Sequence, residues 1–299
     1  MHSLQSLWMI VASLFFACMG VCVKLGASHF SAAELVFYRG FIAIILVWSV
    51  VAYKRWSLCT PHWRGHLWRG ATGFVSLVMY FYAISVMPLA TAVALNYTSP
   101  LFLALLLVVW AGERVRWPLL LALVIGLAGV VLLLRPSFAS KEWLGGVLAL
   151  ASGMLSSFAY YNVRQLGRLG EPEWRTVFYF SLFSAIGGLP WVLASYPFHG
   201  VDQNGVQNSL HHIGWPEVLL MLGVGGFGSL AQLAMTRAYN RGKTLMTASF
   251  AYSTVIFASL FGVVLWGEVL VWSSWLAIAM IVASGVLASA QSKSAVEPE

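Results

Sequence analysis

Ten apolar runs follow one another along this chain: 4–25, 32–53, 66–87, 90–111, 118–135, 143–164, 174–195, 215–238, 245–266 and 271–290. A helix of about 20 mostly apolar residues is what crosses a hydrocarbon core. Lipid offers no hydrogen bonds to an open backbone, so each run has to be helical. The expected fold is an all-α integral membrane protein with ten transmembrane helices. Composition agrees. The chain is 60% hydrophobic and 9% charged, against roughly 25% charged in a soluble domain. The first run lacks a basic segment before it and reads as a retained span, not a leader.

Helix starts carry their own signals. Ser31-Ala-Ala-Glu34 reads as a capping box, in which the Glu side chain returns to the Ser amide. Pro118, Pro172 and Pro216 fall where a first helical turn needs no N–H. Cys18, Cys22 and Cys59 fit neither a disulfide framework nor a metal site, and read as small packing residues.

The net charge of +7 is not gathered on a soluble face, so nucleic acid is not an expected partner. The basic residues instead sort by side. With the N-terminus inside, Lys54, Arg55, Arg64, Arg69, Arg114, Arg116, Arg164, Arg168, Arg175, Arg237, Arg241, Lys243 and Lys293 fall on the cytoplasmic side. Only Lys24, Arg135 and Lys141 fall outside, and Arg39 lies within a span. The positive-inside bias then predicts both termini in the cytoplasm.

The chain repeats itself. "WAGERVRW" (110–117) is answered by "LWGEVLVW" (265–272), and Glu268 follows Glu113 by 155 positions (268 − 113). At this offset Tyr97 meets Tyr252, Trp117 meets Trp272, Gly70 meets Gly225 and Gly73 meets Gly228. With a different loop length "VFY" at 36–38 meets "VFY" at 177–179. Five spans per half is odd, so the second half enters the membrane in the opposite sense, as in many secondary transporters. Arg114 and Arg116 are matched by Val269 and Val271, because the second hairpin lies outside, where cations are disfavoured.

These features resemble the drug/metabolite transporter superfamily, EamA type. The Pro in "NYTSPLF" (96–102), the Arg in "FYRGF" (37–41) and the Gly-Glu hairpin near the end of each half carry the resemblance, which covers residues 4–290. It implies a first repeat over 4–135, an inverted second repeat over 143–290 and a cytoplasmic tail over 291–299. It also implies a central cavity lined mainly by the first, third and fourth spans of each half, with alternating access. Family substrates include amino acids, S-adenosylmethionine, riboflavin and other polar or amphipathic metabolites. Two positions depart from the pattern: Val255 stands opposite Pro100, and Phe180 opposite Arg39.

Polar groups inside a span are costly and face a cavity or a partner helix. Asn96, Tyr97 and Ser99 precede Pro100, which removes one backbone donor and frees the Asn96 carbonyl. Two readings fit: a substrate contact with a hinge, or a kink satisfied locally. Tyr252 and Ser253 sit at matching positions, and Tyr80, Tyr160 and Gln232 complete the expected cavity wall. Aromatic rings beside amides suit an amphipathic ligand, although an interfacial tyrosine needs no ligand. Tyr160 and Tyr161 are adjacent, so both cannot face the cavity equally. Arg39 either offers a fixed charge to a substrate anion or bonds backbone carbonyls at a helix contact. Lys24 and Arg237 are expected to snorkel. Glu113 and Glu268 are expected to hold their hairpins by accepting the amides of the next helix. Gly70, Gly73, Gly225 and Gly228 allow close helix approach.

All ten acidic residues lie at span ends, in loops or in the tail, so a proton relay through buried carboxylates is not expected. "RGKT" (241–244) lacks the Gly that a phosphate loop needs at Arg237, and His211-His212 belong to a polar loop. The sequence calls for no cofactor and no metal. The expected protein is a secondary transporter of the inner membrane, moving a small amphipathic metabolite (an amino acid or related compound, such as S-adenosylmethionine or a vitamin). A membrane-embedded enzyme acting on a lipid or lipid-linked substrate is the alternative. It would need a convergent nucleophile or metal set that the spans do not offer. Its partners are the substrate and the bilayer; the oligomeric state stays open.

Overall fold

The structure is a computed structural model and describes residues 5–111, 121, 124–126, 128, 129, 132, 140–195, 214–242, 247, 250–268 and 271–291. Within them every regular element is a helix. In chain order these are α1 (Trp8–Gly26), α2 (Ala32–Lys54), α3 (Trp63–Val86), α4 (Leu89–Asn96), α5 (Ser99–Ala111), α6 (Ser140–Arg168), α7 (Glu173–Ser195), α8 (Trp215–Arg241), α9 (Ser253–Trp266) and α10 (Trp272–Gln291). Six of them, α1, α2, α3, α6, α7 and α8, are long and apolar enough to cross a membrane. Shorter apolar helices run over Leu89–Leu103, Ser253–Trp266 and Trp272–Ser284. The expected fifth span falls mostly outside the described residues, and Glu113, His211, His212 and the tail beyond residue 291 fall wholly outside them.

Local chemistry sets the helix ends. Ser31 and Glu34 form the expected capping box, Ser31 N–H donating to Glu34 Oε2 at 2.7 Å and Glu34 N–H to Ser31 Oγ at 3.3 Å. Pro216 occupies the first turn of α8. Gly267 ends α9 at φ +60, a left-handed conformation that costs glycine nothing.

The expected single span over 90–111 is two helices. Tyr97 and Thr98 form a turn between α4 and α5, and the Thr98 hydroxyl donates to the Leu95 carbonyl at 2.7 Å. Pro100 has no N–H to offer the Asn96 carbonyl. That carbonyl faces α6, where a Cβ built on Gly153 would stand 2.7 Å from it. The second half is interrupted at the matching place. Residue 251 is helical, Tyr252 leaves the helix, and α9 begins at Ser253. Here Val255 stands in place of Pro100, so this interruption arises without a missing donor at that position.

Helices pack in a crossed pattern. α1 lies on α8 and α3 on α6; α2 lies on α7; α1 also meets α9, and α6 meets α4 and α5; α4 meets α9. The α2–α7 contact is close because glycines face backbone. A Cβ on Gly40 would stand 2.7 Å from the Ala185 nitrogen and the Ser181 carbonyl, and one on Gly188 would stand 2.8 Å from the Ala33 carbonyl. Gly70 and Gly225 pack tightly on Phe183 and Ile42. Met9, Phe81, Leu95, Val224 and Met235 are fully buried in the interior, whereas Trp48, Ile186, Leu219, Ile256 and Leu260 are exposed. An exposed apolar surface of this breadth is what lipid covers. Cys18 and Cys22 are partly buried as packing residues, but Cys59 is exposed, because the connection before α3 offers it no helix to pack on.

Candidate functional site

A cavity of about 60 Å³ lies among α1, α2, α3, α4, α6, α7 and α8. Phe16, Met19, Leu77, Phe180 and Met235 supply apolar wall. Of the residues the sequence singles out, Arg39, Tyr80, Asn96, Tyr97, Tyr160 and Gln232 all line it. The Asn96 amide donates to Ser152 Oγ at 2.7 Å, which fixes its orientation. Tyr160 stacks on Tyr239 with centroids 5.3 Å apart and 17° between planes. Tyr161, its neighbour, turns instead to the edge of Trp110.

Three expected wall residues are not on this wall. Ser99 is buried in the first turn of α5 beside Pro100. Tyr252 is buried in the core, and Ser253 opens α9 behind it. α9 packs on α1, and on that side α1 supplies Phe16 and Met19 to the cavity instead.

Two arginines dominate the electrostatics. Arg39 is 2% exposed. Its Nη2 donates to Gln232 Oε1 at 3.2 Å, while Nε and Nη1 are buried without a hydrogen-bond partner. Its partner is thus a side-chain amide, not the backbone carbonyls of a helix contact. Arg69 is 3% exposed, and its Nε also lacks a partner. Its sequence position suggested a cytoplasmic span end, yet it lines the cavity. Both guanidiniums lie on the same ring, their Cζ atoms 4.9 Å (Arg39) and 4.0 Å (Arg69) from the Phe180 centroid. Such contacts attract a cation to the ring face.

Glycine makes the space. Gly73 stands one turn after Arg69, and a Cβ there would overlap its Nη1; a Cβ on Gly228 would stand 3.0 Å from Arg39 Nε. So two of the four glycines assigned to helix contact instead seat arginines. The second span and its counterpart also contribute more than the resemblance implied, through Arg39 and Phe180. Phe180, Phe16, Met19, Ser76 and Ser156 are wall residues that sequence reasoning missed. For Phe180 a signal existed, since it occupies the position of Arg39 in the second copy.

Away from the cavity, several charges are paired. Lys24 does not snorkel: its Nζ bonds Glu268 Oε1 and lies 4.8 Å from the Trp266 centroid. Glu268 Oε1 also accepts the Leu89 N–H at 3.0 Å. The carboxylate therefore caps α4, not the helix after its own hairpin, because α9 packs against both α1 and α4. Arg237 Nε donates to Gln5 Oε1 at 3.1 Å, and its Cζ stacks 4.9 Å from the Trp8 centroid. Glu171, between α6 and α7, accepts from Thr60 Oγ1 and from Arg175 Nη1 at 2.9 Å, with His66 Nε2 at 3.6 Å. Burial pushes the Glu171 carboxyl up, but these hydrogen bonds and the Arg175 and His66 charges outweigh it and hold it below the ordinary range. Glu173 pairs with Arg241 at 2.6 Å, and Glu217 lies 3.8 Å from His29.

The EamA-like transporter family matches residues 4–135. An uncharacterized transporter of Helicobacter pylori (strain J99 / ATCC 700824) is 27% identical over 281 residues, 93% of this chain and 92% of that protein. The pseudopaline exporter CntI of Pseudomonas aeruginosa (strain UCBPP-PA14) is 28% identical over 260 residues, 87% of each chain. The S-adenosylmethionine uptake transporter of Rickettsia conorii (strain ATCC VR-613 / Malish 7) is 23% identical over 250 residues, 83% of this chain and 80% of that one. A solved crystal structure shares the fold, with a TM-score of 0.69 at 22% identity over 97% of this chain and 99% of its own.

Proposed function

We propose that this chain, whose residues 4–135 match the EamA-like transporter family, carries a small amphipathic metabolite across the inner membrane by alternating access around the central cavity. The observation that carries this reading is the cavity itself, to which both α1 to α4 and α6, α7 and α8 contribute wall residues. A site between two half-molecules can be opened to either face by rocking one against the other. Asn96, Tyr97, Tyr80, Tyr160 and Gln232 bind the substrate in this reading.

The helix pairing supports two inverted halves over 4–135 and 143–290. Exchanging each span of one half for its counterpart turns the α1–α8 contact into α6–α3, and α1–α9 into α6 on α4 and α5, while α2–α7 maps onto itself. The interruptions at Tyr97 and Tyr252 lie at matching positions and serve as hinges. The distribution of Lys and Arg favours cytoplasmic termini. Two of the relatives are named as an exporter and an uptake transporter, which leaves direction to experiment.

Purified protein in proteoliposomes tests this. We expect saturable uptake or exchange of at least one member of a panel of amino acids, organic acids, nucleoside derivatives and vitamins. Asn96→Ala is expected to lower that flux about tenfold, the loss of one or two hydrogen bonds to a bound ligand. No binding and no flux across the panel would argue against transport.

A further inference from the structure

The charge balance of the cavity is incomplete. Arg39 and Arg69 both line it, both are buried, and between them three guanidinium nitrogens lack partners. Their Cζ atoms lie 4.9 Å and 4.0 Å from one ring centre, which bounds their separation at 8.9 Å (4.9 + 4.0). Among the described residues no carboxylate lines the cavity. Five acidic side chains are engaged elsewhere: Glu34 in its capping box, Glu171 with Arg175, Glu173 with Arg241, Glu217 beside His29, and Glu268 with Lys24. A buried cation without a counter-charge is costly. Stacking on Phe180 recovers a part of that cost only.

We propose that the missing counter-charge is the substrate's: the cavity takes a small organic dianion, of which a compound bearing two carboxylates a few bonds apart is the type. This rests on the transport reading and narrows it. Guanidinium presents a planar fork of donors that matches a carboxylate in bidentate fashion, and two forks less than 9 Å apart match two such groups on a short backbone. One carboxylate would leave one cation uncompensated. A net cation such as S-adenosylmethionine would meet like charge, and it finds no acidic wall among the described residues. The Gln232 amide nitrogen, also buried and unpartnered, offers one further donor to the same ligand. Tyr80, Tyr97 and Tyr160 supply faces and hydroxyls for the uncharged body.

The test compares four probe classes on the purified full chain: short dicarboxylates, phosphate monoesters, neutral amino acids and S-adenosylmethionine. Binding is read as a shift in Tm, with sodium chloride matched throughout, and flux is read in proteoliposomes. We expect dicarboxylates to raise Tm and to exchange. Arg69→Gln and Arg39→Gln are expected to weaken their binding by roughly 30-fold or more, and Arg69→Lys by less than Arg69→Gln, since charge survives but the fork does not. Circular dichroism and a monodisperse elution profile show that each variant is folded. Phosphate monoesters binding in place of dicarboxylates keeps the dianion and replaces its type. Neutral or cationic probes binding and moving, with dianions inert, overturns the inference and leaves transport standing. Dianion binding without flux does the reverse. Equal response to chloride alone also overturns it, since a simple counter-ion then fills the site.

Discussion

Lys24 and Arg175, towards the ends of the bundle, each meet a carboxylate; Arg39 and Arg69, at its centre, meet none among the described residues. The two sets are not separated by burial alone, since Glu171 is as deeply covered as the arginines. They are separated by what completes them. Where a charge holds helices together, the chain supplies both partners. In the cavity, among the described residues, it supplies one sign only. Removing a charge should therefore have opposite consequences in the two places.

The largest effect is expected at Glu268. Glu268→Ala strands Lys24 and leaves the Leu89 N–H unpaired, with the two side chains 10% and 18% exposed. A cost of about 3 kcal/mol follows from leaving a largely buried charge and an amide without partners. Thermal unfolding in detergent reads it. The double variant Lys24→Met with Glu268→Ala should recover part of the loss, because the stranded charge is gone. A Glu268→Ala protein as stable as the parent would mean that the α1–α4–α9 junction does not depend on this pair.

The arginines should answer with the opposite sign. In the absence of ligand, Arg69→Gln is expected to leave stability unchanged or raise it by about 1 kcal/mol. The relief of burying a charge outweighs the lost contact with Phe180. A structural arginine would instead lose stability, so the same melting curve separates the two roles. The pattern expected is a gain in stability with a loss of ligand binding, the trade-off common to binding sites.

Sequence reasoning reached the cavity but not its charge. Arg39 stood out because a charge well inside an apolar run is rare. Arg69 did not, because it sits early in α3 and resembles the basic residues that mark a cytoplasmic boundary. Only the helix packing, with Gly73 one turn on and Phe180 opposite, turns it inward. The match at the 155-residue offset was legible in Gly-Glu, Tyr97 and Tyr252, but its consequence was not. Arg39 and Phe180 occupy matching positions in the two copies, and in the structure they stack on each other because α2 packs against α7. A second arginine at Phe180 would have set like charges face to face. Glu268 was legible as a capping carboxylate, yet its target was not, since Leu89 is 179 residues away and no local pattern links them. The hinge or kink expected at Pro100 is in the structure a break between two helices, with the Thr98 hydroxyl on the Leu95 carbonyl and Gly153 close to the Asn96 carbonyl.

The smallest effect belongs to Glu171, and it sharpens the comparison through pH. Its carboxyl titrates below the ordinary value of 4.5, because Thr60, Arg175 and His66 outweigh its burial. The folded state thus favours the ionised form. Its contribution is fully present above the unfolded value and is lost as pH falls through the lower, folded one. Lowering the pH from 6 towards 3 should therefore reduce Tm more in the parent than in Glu171→Gln, which cannot titrate. The difference corresponds to about 1 kcal/mol or less, the range of a single ion pair that solvent partly reaches through Arg175. Thr60→Val removes one of the donors that hold the carboxylate ionised, so its loss should begin at higher pH. Arg69→Gln should leave this acid limb unmoved, because the central arginines share no acidic partner with the cluster. A parallel shift of the acid limb in Arg69→Gln would show instead that the charges at the end of the bundle and at its centre form one network.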